Sequence, residues 1–254
     1  MRVVLLHGFS QGPGSWAGIA ARLAGRHEVV TPTLPGHGGA GAIHGTFEEE
    51  AAALAETVGP PPAVWVGYSM GGRLALRIAL DRPDLVPRLV LLGATAGLVD
   101  PADRKARRLV DETLASGLER KGLDRFLTGW LSQPLFQRLP PEAAGLEERR
   151  TNTVAGLASA LRRLGTGAQE PLWDRLGELR MPVLLLAGEH DSKFVSIAFR
   201  LAAAIGDGAG LSFVPGAGHA AHLERPDSFM TILERFLDRE PPHGAASPAS
   251  KGAP

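Results

Sequence analysis

Short apolar runs recur along the chain, separated by helix-like stretches of mixed character. The runs predict six strands, at 2–6, 28–31, 63–66, 88–92, 181–187 and 211–214. Their apolar residues follow one another without alternating with polar ones, which is typical of parallel strands covered on both faces. The stretches between them predict helices at 15–23, 46–58, 70–80, 194–205 and 226–238. We expect Ser15 and Thr46 to cap the first two of these helices. The alternation of strands and helices along the chain predicts an α/β fold with a mostly parallel sheet flanked by helices.

One interruption breaks the alternation, over about 98–173, directly after the strand at 88–92. It is too long for an ordinary connection and has helical character. We therefore expect a helical lid over the strand ends, where α/β enzymes bind ligands, with residues 1–97 and 174–239 forming the core. Residues 240–254 are mostly Pro, Ala, Gly and Ser, which predicts a disordered tail.

Composition narrows the classes of function. The 254 residues are 44% hydrophobic, enough for one large core, and 27 basic residues balance 27 acidic ones. No overall charge therefore favours nucleic acid or a membrane surface. Cysteine is absent, which excludes disulfides, thiolate metal sites and a cysteine nucleophile and agrees with a cytoplasmic location. No apolar run approaches the length of a membrane span, and neither a signal peptide nor a metal site is expected.

The most informative motif is the hexapeptide at 67–72, Gly-Tyr-Ser-Met-Gly-Gly, which lies between a predicted strand and a predicted helix. G-x-S-x-G in this position is typical of a nucleophile elbow, a tight turn that exposes its central hydroxyl at the top of the sheet. The turn needs small residues two before and two after the serine, and Gly67 and Gly71 satisfy this requirement. The motif predicts Ser69 as the catalytic serine.

A catalytic serine requires a histidine to take its proton and an acid to orient that histidine. In hydrolases of this architecture the chain order is serine, acid, histidine, each after a strand. Asp191 and His219 occupy those positions. Glu189 is an alternative acid, and His190 and His222 are alternative bases. Asp191 is preferred because Glu189 lies closer to the strand end, and His219 because it follows a glycine-rich turn.

The loop after the first strand supplies the remaining component. His7 and Gly8 end that strand, as in the oxyanion loops of this architecture. We expect the backbone N–H groups of Phe9 and Met70 to point at developing negative charge, the second from a helix N-terminus.

These motifs together resemble the 2-succinyl-6-hydroxy-2,4-cyclohexadiene-1-carboxylate synthase family, lyases of menaquinone biosynthesis with an α/β-hydrolase fold. The resemblance extends to about Leu237 and rests on LLHGF, LPGHGG, VGYSMGGR, GWLSQPLF, RRTN, AGEHDSKF and GAGHAAH. It implies that the serine acts as a base on 2-succinyl-5-enolpyruvyl-6-hydroxy-3-cyclohexene-1-carboxylate. A proton next to the succinyl carbonyl is removed and pyruvate is eliminated, with no acyl-enzyme and no cofactor.

The resemblance also implies residues that bind the substrate, a small polyanion with three carboxylates. They are Tyr68, Arg107, Trp130, Arg150 and Lys193. Two of these assignments stay open by one position: Arg108 is the alternative to Arg107, and Arg149 is the alternative to Arg150. Trp130 is equally compatible with simple packing inside the lid, and Lys193 with a surface charge. Nucleic acid and membranes are not expected as partners, and the oligomeric state is not predicted.

Two other functions fit the same motifs. A serine hydrolase of an ester or a carbon–carbon bond would use Ser69 as a covalent nucleophile, and a ligand receptor could retain the three residues without catalysis. The core and the three residues alone do not separate these possibilities, because function on a shared fold is decided by the site built on it.

Overall fold

A single six-stranded parallel sheet forms the centre of the computed structural model, which describes residues 1–239. Its strands are β1 (Arg2–Leu6), β2 (Glu28–Val30), β3 (Val64–Tyr68), β4 (Arg88–Leu92), β5 (Val183–Gly188) and β6 (Ala209–Val214). They are arranged in the order β2-β1-β3-β4-β5-β6, and every neighbouring pair is parallel. The prediction of an α/β fold is confirmed. The tail predicted to be disordered, 240–254, lies outside the described residues.

Ten α-helices accompany the sheet in this part of the chain. They are α1 (Ala17–Leu23), α2 (Phe47–Val58), α3 (Met70–Asp81), α4 (Pro101–Lys121), α5 (Leu123–Leu131), α6 (Leu146–Arg149), α7 (Val154–Leu164), α8 (Ser192–Ile205), α9 (Ala221–Glu224) and α10 (Pro226–Leu237). Short 3-10 turns occur at Pro13–Trp16, Pro83–Leu85, Pro134–Phe136, Pro141–Ala143 and Trp173–Glu178. No helix within residues 1–239 is long and apolar enough to cross a bilayer.

The two predicted N-caps have different outcomes. Thr46 caps α2 through a reciprocal capping box, in which its hydroxyl accepts from Glu49 N at 3.2 Å and the Glu49 carboxylate accepts from Thr46 N at 2.8 Å. The prediction for Ser15 is wrong. Pro13 opens a 3-10 turn there, the Ser15 hydroxyl donates to Gly12 O at 2.7 Å, and α1 begins only at Ala17.

Burial on both faces of the sheet explains the uninterrupted apolar runs. In β3, Trp65 packs with the layer that contains α2, α3 and α8, whereas Val64 and Val66 face the layer of α1 and α10. In β4, Leu89 and Val90 divide between the two layers in the same way. Successive side chains of β3 and β4 still alternate between faces, but both faces of these strands are buried, so their sequences show no polar alternation.

Residues 98–173 separate β4 from β5 and contain α4 to α7 with no strand. We call this segment the lid. Within it α4 packs along α7, and Leu118 and Leu157 join the core layer on the α3 side of the sheet. The lid is therefore continuous with the hydrophobic core on that side of the sheet.

Candidate active site

Ser69 occupies the turn between β3 and α3 in a backbone conformation that side chains rarely adopt, with φ 52° and ψ −109°. Such a residue is held there only by its surroundings, at a cost of about 1–3 kcal/mol. The surroundings are tight: a Cβ on Gly67 would lie 2.5 Å from Gly71 O, and one on Gly71 would lie 2.5 Å from His7 O. Glycine is required at both positions because the backbones of the turn and of the loop after β1 meet there.

Three side chains from distant loops converge at this turn. His219 Nε2 lies 3.3 Å from Ser69 Oγ, and His219 Nδ1 lies 2.7 Å from Asp191 Oδ2. His219 and Asp191 are both buried. A carboxylate at Nδ1 favours the tautomer that carries its proton there, which leaves Nε2 free to accept the proton of Ser69. These distances are suited to proton transfer from the serine to a histidine that an acid orients.

The alternative acid and bases lie elsewhere. Glu189 accepts from Gly216 N at 2.8 Å and so holds the loop that leads to His219. His190 is exposed. His222 is buried against the rings of Trp16 and Tyr68, with centroids 4.2 and 4.6 Å away, and burial lowers its pKa to about 3. None of the three lines the cavity at Ser69.

Phe9 and Met70 both line that cavity, as the oxyanion hypothesis requires. Met70 is the first residue of α3, where helical N–H groups have no partner within the helix. Within residues 1–239, neither the Phe9 N–H nor the Met70 N–H donates to a backbone or side-chain acceptor, while the next amide, Gly71 N, donates to His7 O at 3.1 Å. Two amides at the serine are thus available to a ligand.

The cavity lies between the carboxyl ends of β3 and β4 and the lid. It contains about 840 Å³ of space free of protein atoms, part of it open to solvent. Its charged lining consists of Arg73, Arg107, Arg149, Lys193 and the single carboxylate Asp111. Basic groups outnumber the acidic one, so the cavity is electrostatically suited to an anionic ligand.

The first lid arginine lies where the resemblance implied. Arg107 lines the cavity, and its Nε donates to Asp111 Oδ1 at 2.9 Å, one turn further along α4. Arg108 instead donates from Nε to Gly167 O at 2.7 Å and holds two parts of the lid together.

Of the two candidates for the second lid arginine, the structure places Arg149 at the cavity and Arg150 outside it. Arg150 donates to Asp124 Oδ1 at 2.7 Å and to the Glu147 carboxylate, and it does not line the cavity. Arg149 is buried, lines the cavity, and donates from Nη1 to Ser10 Oγ. Consecutive residues around a helical turn point about 100° apart, so a shift of one residue exchanges the inner face for the outer one. The structure therefore brings Arg149, and not Arg150, to the cavity.

Tyr68, Trp130 and Lys193 line the cavity in different ways. Tyr68 is buried beside His219, and burial raises the pKa of its phenol. Trp130 packs edge-on against Phe9, with ring centroids 4.9 Å apart, so it contributes to lid packing. Its indole Nε1 is nevertheless buried and has no acceptor among residues 1–239. Lys193 is exposed at the cavity edge, with Nζ 5.5 Å from the Phe194 ring.

Two charged residues of the cavity, Arg73 and Asp111, were not predicted from the sequence. Arg73 lies one helical turn after Ser69 and donates to Gln169 Oε1 at 3.0 Å and to Leu164 O at 2.5 Å, and burial lowers its pKa to about 9. Burial raises the pKa of Asp111. Sequence spacing could have predicted both, because residues four apart in a helix share a face. Arg73 lies four residues after Ser69, and Asp111 lies four residues after Arg107.

Comparison with known proteins agrees with this geometry. The model of the alpha/beta hydrolase family matches residues 3–231. The chain therefore belongs to the α/β-hydrolase family. Two curated relatives, from Enterobacter sp. (strain 638) and Serratia proteamaculans, are named 2-succinyl-6-hydroxy-2,4-cyclohexadiene-1-carboxylate synthase. They are 33% and 32% identical, and the alignments cover 92% of this chain and 91% and 92% of theirs.

A solved structure supports the same placement. MenH from S. aureus superposes with a TM-score of 0.87 at 33% identity, covering 93% of both chains. Within the α/β-hydrolases the chain thus belongs with the 2-succinyl-6-hydroxy-2,4-cyclohexadiene-1-carboxylate synthases, and the resemblance of its motifs to that family is confirmed.

Proposed function

We propose that the protein is a carbon–oxygen lyase that eliminates pyruvate from 2-succinyl-5-enolpyruvyl-6-hydroxy-3-cyclohexene-1-carboxylate, giving 2-succinyl-6-hydroxy-2,4-cyclohexadiene-1-carboxylate. One observation carries the proposal: the Ser69–His219–Asp191 arrangement opens into a cavity lined by Arg73, Arg107, Arg149 and Lys193. A neutral ester needs no such set of cations, whereas a substrate with three carboxylates does. The relatives that carry the synthase name support the same choice of substrate.

The reaction follows from the bonds that differ between substrate and product. His219 Nε2 takes the proton of Ser69 Oγ, and the serine oxygen removes the hydrogen at ring carbon C-2, beside the succinyl carbonyl. The electron pair of that bond forms the C-2 to C-3 double bond, and the former C-3 to C-4 double bond shifts to C-4 and C-5. The bond from C-5 to the enolpyruvyl oxygen breaks. The departing enolpyruvate gains one proton at carbon and becomes pyruvate.

Negative charge develops on the succinyl carbonyl oxygen as the C-2 hydrogen leaves. The free N–H groups of Phe9 and Met70 are the donors assigned to that oxygen. Preorganised donors of this kind contribute about 2.7–4 kcal/mol each to lowering a barrier. Ser69 returns its hydrogen to solvent or to enolpyruvate through His219, so no covalent bond forms between enzyme and substrate.

Recognition of the substrate is assigned to both parts of the chain. The core, residues 1–97 and 174–239, supplies the reacting groups together with Tyr68, Arg73 and Lys193. The lid, residues 98–173, supplies Arg107, Arg149 and Trp130. Asp111 holds Arg107 in place while the remaining guanidinium nitrogens stay available for a carboxylate. The lid thereby selects a polyanionic substrate from the wider range that this fold can process.

A pyruvate assay coupled to lactate dehydrogenase tests the proposal, with p-nitrophenyl acetate as the comparison substrate. The purified protein should release pyruvate from the enolpyruvyl substrate, and Ser69→Ala should lower kcat by at least about 10³-fold. Ester hydrolysis without pyruvate release would instead establish a serine hydrolase. Tight binding of the enolpyruvyl substrate with turnover of neither compound would identify a receptor.

A further inference from the structure

Ser10, the residue after the oxyanion donor Phe9, shares a positive φ with Ser69. Within residues 1–239, the only non-glycine residues with positive φ are Ser10, at 63°, and Ser69, at 52°. A side chain in this region costs about 1–2 kcal/mol and persists only where the surrounding structure enforces it. Strain at Ser69 belongs to the elbow, so strain at Ser10 requires a separate explanation.

Every polar group of Ser10 is bonded to a buried side chain from a distant part of the chain. Ser10 N donates to His37 Nε2 at 3.0 Å, Asn152 Nδ2 donates to Ser10 O at 3.0 Å, and Arg149 Nη1 donates to Ser10 Oγ. His37, Asn152 and Arg149 are 0%, 6% and 2% exposed. Buried hydrogen bonds to three separate groups fix both the position and the orientation of this one residue.

The three partners are themselves held in place. His37 Nδ1 donates to Pro35 O at 2.9 Å, which leaves Nε2 as the acceptor that Ser10 N needs. Asn152 also donates to Arg149 O at 2.7 Å and accepts from Gly38 N at 2.8 Å. The loop after β2 and the lid are thus bonded both to each other and to the loop after β1.

We propose that His37 and Asn152 are positioning residues that hold Ser10 in its left-handed conformation and thereby aim the Phe9 N–H at the substrate oxygen. The inference rests on the proposed function, since it concerns the same site. It adds that the oxyanion loop is set by the lid: Asn152 and Arg149 belong to the lid, and Arg149 also lines the substrate cavity. Binding of the substrate at the lid and alignment of the oxyanion donor are therefore coupled.

The test compares two replacements of His37 that differ in one acceptor. His37→Gln can present an amide oxygen to Ser10 N, whereas His37→Met has similar length and no strong acceptor. Misplacing a catalytic group by about 1 Å can cost about 10²-fold in rate. We expect His37→Met to lower kcat for pyruvate release at least about 10-fold, with KM changed less than about 3-fold, and His37→Gln to retain kcat within about 3-fold.

Ser159→Ala is the matched control. The Ser159 hydroxyl accepts from Ile43 N at 2.9 Å, so it also bonds the lid to the loop after β2, but it does not touch Ser10. Its kcat should equal that of the wild type. Asn152→Asp is the second variant, because it keeps an acceptor for Gly38 N and loses the donor to Ser10 O, and it should also lower kcat. Asn152→Asp tests the positioning proposal if circular dichroism shows that His37→Met does not fold.

Equal kcat in His37→Met, His37→Gln and the wild type would overturn the proposal, as would equal loss in His37→Met and Ser159→Ala. If the wild type releases no pyruvate but hydrolyses p-nitrophenyl acetate, the proposed function fails, and the same variants are compared on the ester, whose hydrolysis uses the same amides. Turnover of neither substrate by the wild type would overturn both proposals.

Discussion

Arg149 and Arg150 are neighbours in sequence with opposite environments, and their replacement by alanine tests how the cavity recognises anions. Arg149 is 2% exposed and lines the cavity. Its Nε donates to Ala144 O at 2.7 Å and its Nη1 to Ser10 Oγ, while Nη2 has no acceptor among residues 1–239. The Arg150 side chain is 43% exposed and forms ion pairs with Asp124 and Glu147. Of these two arginines, only Arg149 lies where a free guanidinium nitrogen can meet a carboxylate bound in the cavity.

The expected losses of kcat/KM differ between the two variants by about an order of magnitude or more. One hydrogen bond from a charged donor contributes about 1.5–3 kcal/mol, so Arg149→Ala should lower kcat/KM about 10- to 150-fold. Part of this loss should fall on kcat, because Arg149 also contacts Ser10. Arg150→Ala removes surface ion pairs of about 0–1 kcal/mol, and kcat/KM should stay within about 2-fold of the wild type.

Initial rates of pyruvate release over a range of substrate concentrations measure both variants. Thermal unfolding of each protein, followed by circular dichroism, shows whether a loss of activity reflects a loss of folded protein. The assignment of Arg149 to the substrate would be refuted if Arg150→Ala lost as much kcat/KM as Arg149→Ala, or if Arg149→Ala kept wild-type kcat/KM.

Three further predictions concern single side chains of the site. Ser69→Gly and Ser69→Ala should both be inactive. The free energy of unfolding from urea titration should be about 1 kcal/mol higher for Ser69→Gly, because glycine adopts φ 52° without strain, and equal urea midpoints would contradict this. Burial lowers the pKa of His37 to about 4 from an ordinary 6.5, so between these values only the unfolded chain binds the proton and stability falls as pH falls. Urea unfolding at pH 4.5 and 6.5 measures how much the free energy of unfolding falls with pH. This fall should be about 1.4 kcal/mol per pH unit smaller for His37→Gln than for the wild type, and an equal fall in both proteins would refute the prediction. Trp130→Phe removes a buried N–H without a protein acceptor and should raise KM about 2- to 10-fold, and an unchanged KM would assign Trp130 to packing alone.

The elbow and the loops around it could be predicted from sequence because their constraints are local. Gly67 and Gly71 are needed where an added Cβ would lie 2.5 Å from a backbone oxygen, and that need is visible as a motif. The strand order along the chain then fixes which loops meet Ser69. Asp191 and His219 each follow a strand whose carboxyl end lies at the same edge of the sheet, so their approach follows from the fold.

The register of the lid could not be predicted in the same way. Arg149 and Arg150 have the same chemistry, and only the packing of α6 against the loop after β1 decides which one faces inward. The contacts of Ser10 with His37 and Asn152 join residues 27 and 142 positions apart, and no local pattern announces them. Ser15 failed as a cap for a local reason, since Pro13 opens a 3-10 turn before the helix.

The central claim is that Ser69 removes a proton and water takes no part in the bond that breaks. Turnover of the enolpyruvyl substrate in ¹⁸O-labelled water, followed by mass spectrometry of every organic product against an enzyme-free control, tests it directly. Elimination predicts a cyclohexadiene product with no oxygen from water, formed together with pyruvate and absent with Ser69→Ala. A product that carries one ¹⁸O in a newly formed carboxylate would show that the serine works as the nucleophile of a hydrolase, and would contradict the account.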